Sequence, residues 1–127
     1  MNAKKKILAL DDQKPMQNIL NFALKKEFDI TVVDKARKAI EKLKAEKFDM
    51  ALLDIALDGD ETDGIGVAEQ LQALAINVPI VFLTSFSKES LDEEQLARIG
   101  RLTNLKFYQI KPITPHELID KIKQTIG

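Results

Sequence analysis

Residues 7–12 read Ile-Leu-Ala-Leu-Asp-Asp, four apolar residues running straight into two aspartates. Four apolar residues are too few for a buried helix and suit a buried strand. The pattern recurs. Ile30–Val33 is β-branched and precedes Asp34, and Met50–Leu53 ends at Asp54. Val78–Leu83 is apolar and β-branched and precedes Thr84, and Phe107–Ile110 precedes Lys111-Pro112. Between these runs the apolar spacing changes to that of a helix. Pro15 to Lys26 carries Met16, Ile19, Leu20, Ala23 and Leu24, and the proline is tolerated there because the N–H it lacks is unpaired in a first turn. The second helix is predicted to start from an Asp34 cap, with Ala36, Ala39, Ile40 and Leu43 on one face. The third is predicted from about Gly66 to Ala75, with Val67, Leu71 and Leu74. Ser90 and Glu93 have the spacing of a capping box before Leu91, Leu96, Ile99 and Leu102. Thr114, Pro115 and Glu117 open the last helix, which carries Leu118, Ile119, Ile122 and Ile126. Five strands alternating with five helices predict an α/β chain, (βα)5, with a parallel sheet covered on both faces. Near-continuous apolar strands fit that burial.

The chain has 127 residues, the size of one compact domain. Apolar residues make up 45% and charged residues 31%, which excludes disorder along the whole length. Nineteen Lys and Arg against twenty Asp and Glu leave a net charge of −1, so there is no general basic field for nucleic acid or a membrane surface. The absence of cysteine excludes disulfides, zinc–thiolate sites and thiol catalysis, and a single histidine excludes a multi-histidine metal site. No apolar run reaches the length of a membrane span, and the lysine-rich start is not followed by a signal-peptide core. A cytoplasmic protein of one domain, residues 1–127, is the expectation.

In open α/β sheets ligands bind beyond the carboxyl ends of the strands. Asp11, Asp12, Asp54, Thr84 and Lys111 all follow a strand, so they are predicted to converge at one end of the sheet. Three carboxylates at close range raise each other's proton affinity. A hard divalent cation relieves that repulsion, and Mg2+ held by few carboxylates usually serves a phosphate. Lys111 adds a second positive charge, Thr84 adds a hydroxyl, and Asp54 can then act as a nucleophile that forms an aspartyl-phosphate.

These residues in this order resemble the response-regulator receiver domain of two-component signalling, of the stand-alone, chemotaxis-regulator-like kind. The matching pieces are Leu10-Asp11-Asp12, Leu52-Leu53-Asp54, Asp63-Gly64, Leu83-Thr84-Ser85 and Tyr108-Gln109-Ile110-Lys111-Pro112, and together they span nearly the whole chain. The resemblance implies a flavodoxin-like, doubly wound parallel five-stranded sheet in the order 2-1-3-4-5. It implies that Asp54 accepts a phosphoryl group from a histidine kinase or a histidine phosphotransfer protein. Mg2+ would be held by Asp12 and Asp54, by Asp11 through water, and by the Ala56 carbonyl. Lys111 would pair with the phosphate, Thr84 and Tyr108 would move as a switch, and the Lys111–Pro112 bond is a candidate for the cis form. The downstream target would be a protein docking on the face of the fourth helix, fifth strand and fifth helix. The chain would be a phospho-acceptor switch that promotes its own phosphorylation and dephosphorylation rather than a turnover enzyme. Its output is binding to another protein, unless it is one domain of a longer polypeptide.

Two stretches depart from the family pattern. The loop from Asp54 to Asp63-Gly64 is about two residues longer than usual and lacks the usual proline, and the stretch from Thr84 to Lys111 is also longer, with Asn104-Leu105-Lys106 before the fifth strand. Ala56 and Phe86, two residues after the acceptor and the switch threonine, carry no polar group to orient a water, which predicts slow self-dephosphorylation with Phe86 shielding the acyl phosphate.

Other readings of the same residues are weaker. A Mg-dependent phosphatase of the haloacid-dehalogenase kind wants an acid where Ala56 stands, and a flavodoxin-like cofactor binder wants a phosphate loop where Asp11-Asp12 would repel one. A docking module that is never phosphorylated leaves the acid, Thr and Lys set unexplained. Asp58, Asp60, Thr62 and Glu69 match four positions of a calcium loop, but Asp63 stands where glycine is needed, and a strand precedes the loop instead of a helix. Lys4–Lys6 reads as a solvated strand entry and His116 as an exposed helix residue.

Overall fold

The computed structural model describes residues 3–127. Five strands, β1 (Lys6–Leu10), β2 (Asp29–Val33), β3 (Met50–Leu53), β4 (Ile80–Thr84) and β5 (Leu105–Ile110), alternate with α1 (Lys14–Leu24), α2 (Ala36–Ala45), α3 (Gly64–Ala73), α4 (Glu93–Gly100) and α5 (Pro115–Ile126). All pairings are parallel, in the order β2-β1-β3-β4-β5. This is the predicted flavodoxin-like topology.

Alternate strand residues serve opposite faces, because side chains along a strand have a period of two. Leu8, Leu10, Ala51, Leu53, Ile80 and Phe82 pack with Ala39 and Leu43 of α2 and Val67, Ala68 and Leu71 of α3. Ile7, Ala9, Met50, Leu52, Val81 and Leu83 pack on the other side with Leu20 and Leu24 of α1 and Leu118 and Ile122 of α5. β1, β3 and β4 are covered on both faces, which is why their sequences are continuously apolar. No helix among the described residues is long and apolar enough to cross a membrane.

Several boundaries differ from the sequence expectation, each for a local reason. β4 begins at Ile80 and not at Val78, because Pro79 has no N–H to give; its carbonyl accepts from the Ala51 N–H at 2.9 Å. β5 begins at Leu105, and a register irregularity between Ile80 and Val81 leaves Lys106 without a partner in the ladder. α3 begins at Gly64, two residues earlier than predicted, because Asp63 is its N-cap, with Oδ1 accepting from the Gly66 N–H at 2.8 Å. A Cβ on Gly64 would lie 2.1 Å from the Asp54 carbonyl oxygen, so only glycine lets α3 start against the end of β3.

Two predicted caps are corrected. The capping box of α4 is formed by Asp92 and Gln95, while Ser90 lies in a single 3-10 turn, Lys88–Ser90, where its hydroxyl donates to the Ser87 carbonyl. Asp34 does not cap α2. Its carboxylate pairs with Lys38 at 2.9 Å, and the Ala36 N–H at the start of α2 goes instead to Asp60 Oδ2 at 2.8 Å. Thr114 caps α5 as expected, with Pro115 in its first turn. The Lys111–Pro112 peptide is cis, also as expected.

Candidate functional site

The parallel ladder continues one residue beyond three strands. The Asp11 N–H donates to the Val33 carbonyl at 3.1 Å, the Asp54 N–H to the Leu10 carbonyl at 3.0 Å, and the Lys111 N–H to the Thr84 carbonyl at 2.8 Å. These backbone bonds fix where the three side chains leave the sheet, all at its carboxyl edge. Asp11, Asp54 and Thr84 are buried, and Asp12 is half-buried. Carboxylate oxygens of Asp11, Asp12 and Asp54 lie within 4.8 Å of one another.

Lys111 holds two of these acids together. Its Nζ donates to Asp11 Oδ2 at 2.6 Å and to Asp54 Oδ2 at 3.0 Å. Asp11 is held further by the Gln13 N–H on Oδ1 at 2.9 Å, and Gln17 Nε2 donates to the Asp11 carbonyl at 2.8 Å. Asp12 Oδ2 accepts from the Asp58 N–H at 2.7 Å. Asp54 Oδ1 accepts from the Ala56 N–H at 3.3 Å. Thr84 is in place at the end of β4 with its Oγ1 accepting from the Phe86 N–H at 3.3 Å. Tyr108 is half-buried. Its ring packs edge-on against Phe82 with centroids 6.1 Å apart, its hydroxyl donates to the Phe86 carbonyl at 2.6 Å, and Lys88 Nζ lies 5.4 Å from the ring centroid.

Burial pushes the Asp54 carboxyl above the usual carboxylate range and the Asp11 charge adds to the effect, while the hydrogen bond and charge of Lys111 oppose it. Burial alone would lower the Lys111 ammonium, but its bonds to Asp11 and Asp54 outweigh it and raise its affinity for the proton. Burial raises the Tyr108 phenol, with smaller contributions from the Asp54 and Glu89 charges. One ammonium therefore faces three carboxylates. An excess of hard, anionic oxygen donors at this spacing suits a hard divalent cation with few protein ligands.

Four of the predicted residues, Asp11, Asp12, Asp54 and Lys111, meet directly, with the Ala56 backbone at the rim and Thr84 beside them. Tyr108 stands one residue layer away and is connected through Phe86. The acidic loop forms no second cluster among the described residues. The Asp58 N–H turns to Asp12, Asp60 caps α2, and Glu69 is taken by Arg98 Nη2 at 2.6 Å, so two of the four calcium-loop carboxylate or hydroxyl side chains, Asp60 and Glu69, are engaged elsewhere. His116 is exposed on α5, as predicted, beside Asp120 at 3.3 Å. Sequence reasoning missed the contacts that Gln13, Gln17 and Asp58 make with the aspartates. Their only trace in the sequence is position, since a backbone N–H is the donor in two of the three cases.

Comparison with known proteins agrees with this arrangement. The family model described as the response regulator receiver domain matches residues 7–123. The alkaline phosphatase synthesis transcriptional regulatory protein PhoP of Bacillus subtilis is 31% identical over 120 residues, which is 94% of this chain and 47% of PhoP, so the chain spans about half the length of that relative. Among solved structures, a CheY-like receiver domain protein of Methanospirillum hungatei superposes with a TM-score of 0.84 at 22% identity, covering 98% of this chain and 94% of that one. The signal receiver domain of a modulated diguanylate cyclase of Desulfovibrio desulfuricans gives a TM-score of 0.80 at 29% identity, with the same two coverages. Because the family model takes in β1 from its second residue on, the whole of the other four strands and all three site aspartates, this chain belongs to the response regulator receiver domain family.

Proposed function

We propose that residues 1–127 act as one receiver unit in which Asp54 accepts a phosphoryl group from the phosphohistidine of a histidine kinase or a histidine phosphotransfer protein. The observation that carries this reading is the Asp11, Asp12 and Asp54 cluster with Lys111 bonded into it at the carboxyl edge of the sheet. An Asp54 oxygen bonds to phosphorus as the P–N bond of the phosphohistidine breaks, and the imidazole leaves. Lys111, already 3.0 Å from Asp54, stays with the new phosphoryl oxygens. Asp12 and Asp54, Asp11 through water, and the Ala56 carbonyl would hold a Mg2+, which would supply charge neutralisation for those oxygens. The acidic cluster is what supports magnesium.

The output is a two-state change in protein binding. Thr84 turns toward the phosphoryl group, and Tyr108 follows by leaving the Phe86 carbonyl. The face of α4, β5 and α5 then repacks for a protein target. Leu96 and Ile110 are exposed apolar residues on that face, which supports its use in docking. Ala56 and Phe86 offer no side-chain group to orient a water, so the phosphorylated form dephosphorylates itself slowly. Phe86 is 42% exposed. We assign the chain to the cytoplasm, where its kinase partners present their phosphohistidine.

The direct test uses a phosphotransfer protein loaded with labelled phosphohistidine. Label moves to the wild type and not to Asp54→Asn. Equal transfer to the variant, or none to the wild type from any donor, contradicts the reading.

A further inference from the structure

The loop between β3 and α3 is fastened at three points. Leu57 is buried in the core. The Asp58 N–H donates to Asp12 Oδ2 at 2.7 Å. Asp60 Oδ2 accepts from the Ala36 N–H at the start of α2 at 2.8 Å, and its other oxygen accepts from the Glu61 N–H at 2.7 Å. A tight turn links these anchors. The Asp60 N–H donates to the Leu57 carbonyl at 3.2 Å, and Gly59, third in the turn, has φ +71, which glycine adopts without strain. The anchor on α2 and the donor to Asp12 are therefore two residues apart on one closed turn. We infer that Asp60 is a positioning residue for magnesium: by tying the turn to α2 it holds the Asp58 N–H on one oxygen of Asp12 and so orients the other toward the ion.

This rests on the reading of Asp12 as a magnesium ligand. A metal-binding carboxylate is commonly fixed by a hydrogen bond on its second oxygen, and removing such a partner typically weakens binding by 10–100-fold. Asp60 itself touches neither the aspartates nor the ion. Its effect passes through a backbone donor, which is why the acidic composition of the loop does not reveal it. The loop from Asp54 to Gly64 carries the residue that reaches α2.

The test is a Mg2+ titration followed by amide chemical shifts, on the wild type, Asp60→Asn and Asp60→Ala. Both variants lose the same charge, but only asparagine keeps an acceptor for the Ala36 N–H. Asp60→Ala is expected to bind Mg2+ about tenfold more weakly than Asp60→Asn. If Asp60→Ala does not fold, Gly59→Val takes its place, because it breaks the turn at a positive φ in open space and leaves the Asp60 carboxylate and the α2 cap donor untouched. It is expected to weaken binding similarly. Wild-type binding with Asp60→Ala, or Gly59→Val in its place, binding as tightly as Asp60→Asn overturns the positioning role alone. No Mg2+ binding by the wild type overturns the magnesium reading beneath it.

Discussion

Lys111 Nζ lies 3.0 Å from Asp54 Oδ2 while bonded at 2.6 Å to Asp11, so one half-buried ammonium offsets two buried carboxylates. Breaking a buried ion pair by removing one partner leaves uncompensated charge behind. Lys111→Met is expected to destabilise the magnesium-free protein at neutral pH by about 3 kcal/mol, seen as a lowered denaturation midpoint. Most of that loss returns on adding MgCl2, which supplies the missing cation. A variant as stable as the wild type without magnesium contradicts the electrostatic account.

Removing the acid has the opposite effect. Burial holds the Asp54 carboxyl above its ordinary range in the folded state. As pH rises from the unfolded value, the unfolded chain loses this proton before the folded one, so stability falls until the folded-state pKa is passed. Asp54→Asn removes that slope. Without magnesium and at neutral pH it is expected to raise Tm by about 3–6 °C, the shift that ~1 kcal/mol gives in a domain of this size. Lys111 gives the alkaline counterpart. Its raised pKa contributes stability that is fully present below the unfolded value of 10.5 and is lost as pH climbs through the folded one. Thermal melts across pH on the two proteins measure both slopes, and a fall in Tm for Asp54→Asn contradicts the assignment.

Gly64 of α3 and Gly100 of α4 should respond oppositely to alanine. Gly64→Ala puts a Cβ 2.1 Å from the Asp54 backbone oxygen, and backbone on both sides cannot give way. The expected cost is about 3 kcal/mol or more, with loss of Mg2+ binding because the end of β3 is displaced. Gly100→Ala meets open space at the last turn of α4 and is expected to stabilise by about 0.5–1 kcal/mol. Urea denaturation of both variants checks the contrast.

What was legible in the sequence was whatever repeats or sits at a strand end. Buried parallel strands must be apolar along their whole length, so Ile7–Leu10, Met50–Leu53 and Ile80–Leu83 announce themselves. The residue at or just past the carboxyl end of a strand is the one displayed at the ligand edge, which is why Asp11, Asp54, Lys111 and Thr84, the last residue of β4, can be grouped from sequence. What failed was competition between near neighbours for the same backbone donor. Asp34 and Asp60 both could have served the start of α2, and Ser90 and Asp92 both the start of α4; the choice depends on where the chain turns. The clamp between α3 and α4, where Arg98 meets Glu69 from 29 residues away, has no local signature at all. The action of the β3–α3 loop on the site is not legible in its acidic composition because it is made by the Asp58 N–H, which every residue but proline carries.

The central claim is that Asp54 is the phosphoryl acceptor and needs magnesium. The measurement that tests it most directly is the intact mass after incubation with acetyl phosphate, with and without Mg2+, on the wild type and on Asp54→Ala. The account predicts one phosphoryl group on the wild type, formed only with Mg2+ and absent from the variant. An adduct on Asp54→Ala equal to that on the wild type, or no adduct on the wild type with Mg2+ present, contradicts it.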